Sequence, residues 1–141
     1  MELLERVEVK VRFGEVDSMQ IVWHGNYLKY FEDAREAFGD RYGLGYLDVY
    51  KHGVMIPIVK VTCDYKKPLK YGEIAVVEAL FANSEAAKIV FDYKIFRKRD
   101  MELVATGSSV QVFLTPEGEL LLTAPEFFTV WKRRWGIVGE H

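Results

Sequence analysis

One cysteine, Cys63, stands in a chain of 141 residues. A lone thiol forms no internal disulfide and no cysteine metal cage. Set between Thr62 and Asp64 in a β-branched run, with no histidine near it in sequence, it reads as an inert strand residue. Histidine is also scarce: His24, His52 and His141 are too scattered for a metal motif, and no metal is expected. No run of about 18 apolar residues occurs, so no membrane span is expected. The start, MELLERVEV, is not that of a signal peptide, and a cytoplasmic location is the expectation. An excess of one charge is missing too. Nineteen Lys and Arg against 21 Asp and Glu leave −2, with no basic field to draw nucleic acid or an anionic membrane. No G-x-S-x-G is present, which removes the serine nucleophile elbow; Ser108 and Ser109 follow Gly107 inside a strand-like run.

What is present suits one well-cored domain spanning 1–141: 50% hydrophobic, 14% aromatic and 28% charged residues, without repeats or linkers. Val7, Val9, Val11 and Phe13 alternate with Glu8, Lys10 and Arg12, the period of a half-buried strand. From Asn26 to about Tyr42, the residues Tyr27, Tyr30, Phe31, Ala34 and Phe38 form one helical stripe, stopped by Gly43 and Gly45. Strand-like runs follow at 54–65, 73–82, 88–97 and 103–114, whose short connections predict antiparallel neighbours, with a short strand at 120–122. Thr123 to Glu126 reads as a capping box that opens a last helix through Phe127, Phe128 and Trp131.

The most informative stretch is FGEVDSMQIVWHGNY at 13–27, where an acid, Asp17, sits on a loop that leaves a strand and turns apolar before a helix. Taken bare, such an acid is a turn or cap residue. With the LKYFEDAR that follows, however, the stretch resembles the active-site segment of the 4-hydroxybenzoyl-CoA thioesterase-like hotdog family. Asp17, Val22, Trp23, His24, Asn26 and Tyr27 match its pattern, and a looser likeness runs to about Leu114. The resemblance implies an α+β hotdog fold: an antiparallel sheet of about five strands wrapped around one long central helix, here with a short C-terminal helix added. It implies hydrolysis of acyl-CoA thioesters without a cofactor, at sites shared between two subunits. It also implies that the backbone N–H of His24 polarises the thioester carbonyl while Asp17 acts as nucleophile or general base.

Elementary chemistry agrees with that assignment. Thioester hydrolysis passes through an oxyanion, and each fixed N–H donor aimed at it contributes about 3 kcal/mol. A helix start supplies such donors, and the amides of His24, Gly25 and Asn26 stand there. Gly25 offers no side chain to obstruct a carbonyl, while Trp23 and Tyr27 are placed to line an acyl or aryl pocket. Two other acids compete with Asp17. Glu15 reads as a solvated loop acid, and Glu32 as a helix-flank residue paired with Arg35 or Lys29, although other hotdog branches use an acid on this helix.

The phosphates of coenzyme A ask for cations, and the candidates are Lys66-Lys67 with Lys70, the turn Arg97-Lys98-Arg99, and Lys88. In aryl-CoA members of the family, basic residues in the turn before the third long strand contact the nucleotide; that turn here, 83–87, is followed only by Lys88. The departure leaves an acyl-carrier-protein thioester open as an alternative to acyl-CoA. One helix of four to five turns cannot cover both faces of such a sheet, which predicts a homodimer, with a tetramer beyond it. The competing functions are a non-catalytic acyl-thioester sensor and a hotdog hydratase or dehydratase. The sensor does not require Asp17, and the hydratase would need the His24 imidazole itself.

Overall fold

Residues 2–137 are described by the computed structural model, which leaves His141 outside. Strands β1 (Leu4–Lys10), β2 (Ile58–Tyr65), β3 (Ile74–Ala82), β4 (Lys88–Arg97) and β5 (Glu102–Val112) form one antiparallel sheet in the order β1-β3-β4-β5-β2. Helix α1 (Tyr27–Tyr42) packs on it, followed by α2 (Tyr46–Tyr50), and α3 (Glu126–Arg134) closes the described chain. This is the five-stranded sheet, long helix and short C-terminal helix that the sequence predicts.

The stripe on α1 goes inward, since Tyr27, Tyr30, Phe31, Ala34 and Phe38 are all buried. Phe31 stacks on Tyr93 of β4 at 4.4 Å, and Phe38 meets Phe91 edge-on at 4.8 Å. Gly43 ends the helix in the left-handed region, φ 73°, with its own amide and that of Leu44 both donating to the Gly39 carbonyl. Helix α2 is new with respect to the sequence reading. A five-residue helix is too short to display a period; it begins where the Gly45 amide donates to the Asp48 carboxylate at 2.8 Å.

Three expectations are corrected. The first strand does not reach Phe13: the Arg12 amide donates to the Glu15 carboxylate at 2.8 Å, closing a 3-10 turn over Phe13–Glu15 that leaves Phe13 74% exposed. The capping box at Thr123 does not form, because α3 starts at Glu126 behind an extended Pro125 with no side-chain cap. It is held instead by Trp131 and Trp135, whose indole N–H groups both donate to the Tyr42 carbonyl, at 2.7 and 3.0 Å. Finally, β2 and β3 are consecutive but not neighbours. Both edges of β3 are taken, by β1 and by β4, so β2 pairs with the outer edge of β5. The connection 66–73 therefore travels across the end of the sheet, and β2 becomes an edge strand on which Ile58, Val59, Val61 and Tyr65 remain exposed. None of the helices among the described residues is long and apolar enough to cross a membrane.

Candidate active site

The loop between β1 and α1 folds back on itself as a miniature hairpin. Val16 bridges Val22, the Asp17 amide donates to the Ile21 carbonyl at 2.8 Å, and Gln20 takes a positive φ of 68° to make the bend. Within it the Met19 amide donates to Oδ1 of Asp17 at 2.8 Å, which fixes the rotamer of the carboxylate. An isolated bridge between Ile21 and Lys70, with Val22 N–H donating to the Leu69 carbonyl at 2.9 Å, ties the hairpin to the β2–β3 connection. The acid is thus set by backbone on both sides.

Below the hairpin, Glu15 is a brace. Its carboxylate accepts from the Tyr30 hydroxyl at 3.1 Å as well as from the Arg12 amide, and its carbonyl accepts from Trp23 N–H and the Asn26 side-chain amide at 2.9 and 3.0 Å. It is half-buried and committed, not the solvated loop acid that the sequence suggested. Burial and the Glu15 charge push the Tyr30 hydroxyl well above its ordinary range, so it stays a donor. Through these bonds Glu15 fixes where the helix starts: a 3-10 turn over His24–Asn26 that runs into α1. The amides of His24 and Gly25 occupy the first positions of that turn, where a helix leaves N–H groups without an internal partner.

A concavity of about 350 Å³ opens between the hairpin, the helix start and the end of β2. Asp17, Met19, Ile21 and Val22 form one wall, His24 and Tyr27 the second, Tyr65, Lys66, Lys67 and Pro68 the third. The Tyr65 hydroxyl donates to the His24 carbonyl at 2.9 Å and so ties β2 to the helix start. Burial, and then Cys63 beside it, push the Tyr65 hydroxyl up to about 12, so this donor also stays protonated. Burial raises the Cys63 thiol in turn, with the Tyr65 hydroxyl partly offsetting it. The His24 ring is exposed, lying 4.8 Å from the Trp23 ring and 6.1 Å edge-on from Tyr65.

Of the residues singled out in the sequence, Asp17, His24 and Tyr27 meet in this concavity. Trp23 stands outside it, 51% exposed, and its ring occupies the space that a side chain at Gly25 would need. Asn26 is buried with its amide on Glu15, bracing the helix start. Glu32 lies on the exposed flank of α1, 4.0 Å from Arg35. Lys88 does not join the site within one chain: it pairs with Val112 at the end of the sheet where β2 begins, whereas Asp17 faces the end where β2 finishes. The cations that do line the concavity are Lys66 and Lys67. The sequence reading misjudged Glu15, whose partners meet it only once the loop has turned, and did not single out Tyr65, whose partner His24 lies 41 residues away.

A sheet of this topology packed on one long helix, with an acid loop meeting the helix start, defines a hotdog-fold thioester hydrolase. The chain belongs to the Thioesterase-like superfamily, whose profile matches residues 11–131. Among similar proteins, the "Putative acyl-CoA thioesterase YneP" of Bacillus subtilis is 38% identical over 110 residues, 77% of this chain and 80% of that one. The chloroplastic acyl-acyl carrier protein thioesterase ATL3 of Arabidopsis thaliana is 30% identical over 114 residues, 81% of this chain and 60% of that one. The crystal structure of a DHNA-CoA thioesterase from Staphylococcus aureus superposes with a TM-score of 0.83 at 27% identity, covering 94% of this chain and 89% of that one.

Proposed function

We propose that the protein hydrolyses acyl-CoA thioesters, with Asp17 acting on the carbonyl carbon and the His24 amide holding the oxyanion. The observation that carries this reading is that an exposed concavity contains both the carboxylate and the helix start, with aromatic Tyr27 and Tyr65 and two lysines around them. Oδ1 of Asp17 accepts from the Met19 amide, which supports Oδ2 as the oxygen that acts. That oxygen either attacks the carbonyl to form a mixed anhydride or takes a proton from an attacking water. In both routes water supplies the new oxygen of the acid, and the thiolate leaves and is protonated. The name of the Bacillus relative and that of the Staphylococcus structure support a CoA thioester as substrate.

The same reading includes a homodimer. β2 offers eight residues of unpaired edge with Val59 and Val61 exposed, and a second copy laid antiparallel against it continues the sheet and covers them.

The test is free-thiol release from short, medium, long and aromatic acyl-CoAs by wild type and Asp17→Asn. A fall of roughly 10²- to 10⁴-fold in the folded variant is expected. Equal rates would remove Asp17 from the chemistry and point to Glu32. His24→Ala should retain most of the rate, since its amide persists; abolition of activity would favour the hydratase reading.

A further inference from the structure

The Asp17 concavity is one end of a longer feature. Helix α1 and strand β2 lie side by side and run in opposite directions: the Tyr27 ring meets the Tyr65 ring at 4.9 Å, and further along one cavity is lined by both Arg35 and Ile58. Leu28, Glu32 and Arg35, four and three residues apart, share one flank of α1. On β2, Tyr65 and Val61 pair with Ala105 and Ser109, which flank Gly107 at a period of two, and Gly107 abuts the Phe31 ring of α1. Their side chains therefore point to the helix side of the sheet, while Lys60 and Asp64 alternate to the other face. A trough runs between the two elements, with the exposed Leu28 and Val61 along it.

Arg35 interrupts this trough. Its side chain, 19% exposed, crosses from helix to sheet, where it donates to the Tyr93 hydroxyl at 3.0 Å. That hydroxyl shares a 2.6 Å hydrogen bond with Ser109, and both residues are buried. Glu32 stands 4.0 Å away, beyond hydrogen-bond distance, so the guanidinium is held by the sheet. Past it lies the second cavity, about 310 Å³, apolar opposite the helix through Ile56, Ile58, Ile89 and Phe91. One charged strut thus separates two apolar spaces.

We propose that the acyl chain of the substrate lies in this trough and that Arg35 is its stop, limiting the chain to a straight alkyl group of about eight to ten carbons. Tyr27, which shares the concavity with Asp17, and Arg35 are eight residues apart on α1, about 12 Å of helix. An extended chain gains roughly 1.2 Å per bond, which sets that carbon number. Each methylene laid in the trough leaves water, whereas a methyl driven against the guanidinium strips it of water and offers no acceptor in return. Pushing the guanidinium aside also breaks its bond to Tyr93. Glu32, Glu36 and Asp40 on the helix side of the second cavity continue the polar barrier. A second copy on the β2 edge, which covers Val61, closes the trough on its open side. The proposal rests on the thioesterase reading and names the acyl group for it.

S-alkyl-coenzyme A thioethers, from butyl to tetradecyl, carry the chain without a bond to hydrolyse, and calorimetric titration of each reads the trough without chemistry. In wild type the affinity should rise by up to about fourfold per methylene and stop rising at about eight to ten carbons. In Arg35→Leu, which joins the two cavities, the rise should continue, so that dodecyl binds at least about tenfold tighter than octyl. Arg35→Lys keeps a cation at the stop and should keep the wild-type break. Arg35→Gln carries the comparison if the leucine variant loses its folded circular dichroism. The kcat/KM values of the matching acyl-CoAs should break at the same length. Affinity that is flat from butyl onward or climbs unbroken to tetradecyl in wild type overturns the proposal, and so does a break that stays in place in the folded Arg35 variants. Tighter binding of a chain ending in a carboxylate than of the alkyl chain of equal length also overturns it, since Arg35 would then receive an anion. A length break in binding with no thioester hydrolysed would leave the stop standing and overturn the thioesterase reading; hydrolysis that depends on Asp17 with no length break would do the reverse.

Discussion

Tyr65 shows how much the site depends on single polar contacts outside the reacting atoms. Its hydroxyl is the link from β2 to the carbonyl of the residue whose amide is assigned to the oxyanion. Tyr65→Phe should cost about 1 kcal/mol of stability, read by denaturant unfolding, and lower kcat more than it raises KM. Because the folded state favours the protonated hydroxyl, the stability it contributes is present at neutral pH and is lost as pH rises from about 10 toward about 12. A spectrophotometric titration of wild type against Tyr65→Phe should therefore differ near the upper end of that window. Cys63, whose thiol is pushed up by burial, should alkylate more slowly at pH 8 than a free thiol, and Cys63→Ser should keep hydrolysis close to wild type.

At the scale of elements, the loop that carries Asp17 leans on a helix and a sheet that approach very closely. Gly107 of β5 sits opposite Cys63 of β2, and a Cβ there would overlap the Thr62 carbonyl and the Phe31 ring. Gly107→Ala must therefore push β2 or α1 outward. A loss of roughly 1–3 kcal/mol is expected in chemical denaturation, accompanied by reduced activity, since Tyr65 and Tyr27 ride on the same two elements. An unchanged midpoint would mean that the approach is looser than the geometry states. The packing of α1 was legible in its apolar stripe because a helical period is local. The Glu15 brace was not, because its meaning comes from Tyr30, Trp23 and Asn26, which reach it only after the loop has turned.

For the whole molecule, the proposed assembly uses the unpaired edge of β2. Sedimentation should give a dimer for wild type, and Val61→Lys, which places a charge in the middle of the exposed edge, should give a monomer with much reduced hydrolysis. A wild-type monomer retaining full activity would overturn the shared-site reading. Lys88 belongs to this scale. Within one chain it lies at the far end of β2 from Asp17, but an antiparallel partner strand would bring the partner's equivalent end toward the acid.

The sequence by itself determined the long helix and its buried face, which are written in short-range periodicity, and the acid-to-helix segment, a contiguous motif whose family resemblance implied the fold class. Tertiary structure decided what depends on distant partners: that β2 leaves β3 for β5, that Glu15 and Asn26 brace where the helix begins, and that Lys66 and Lys67, not Lys88, stand beside Asp17. Sheet order is set by which strand edges are already occupied, and a site wall by where a crossing connection comes to rest. Neither quantity exists until the chain has closed on itself.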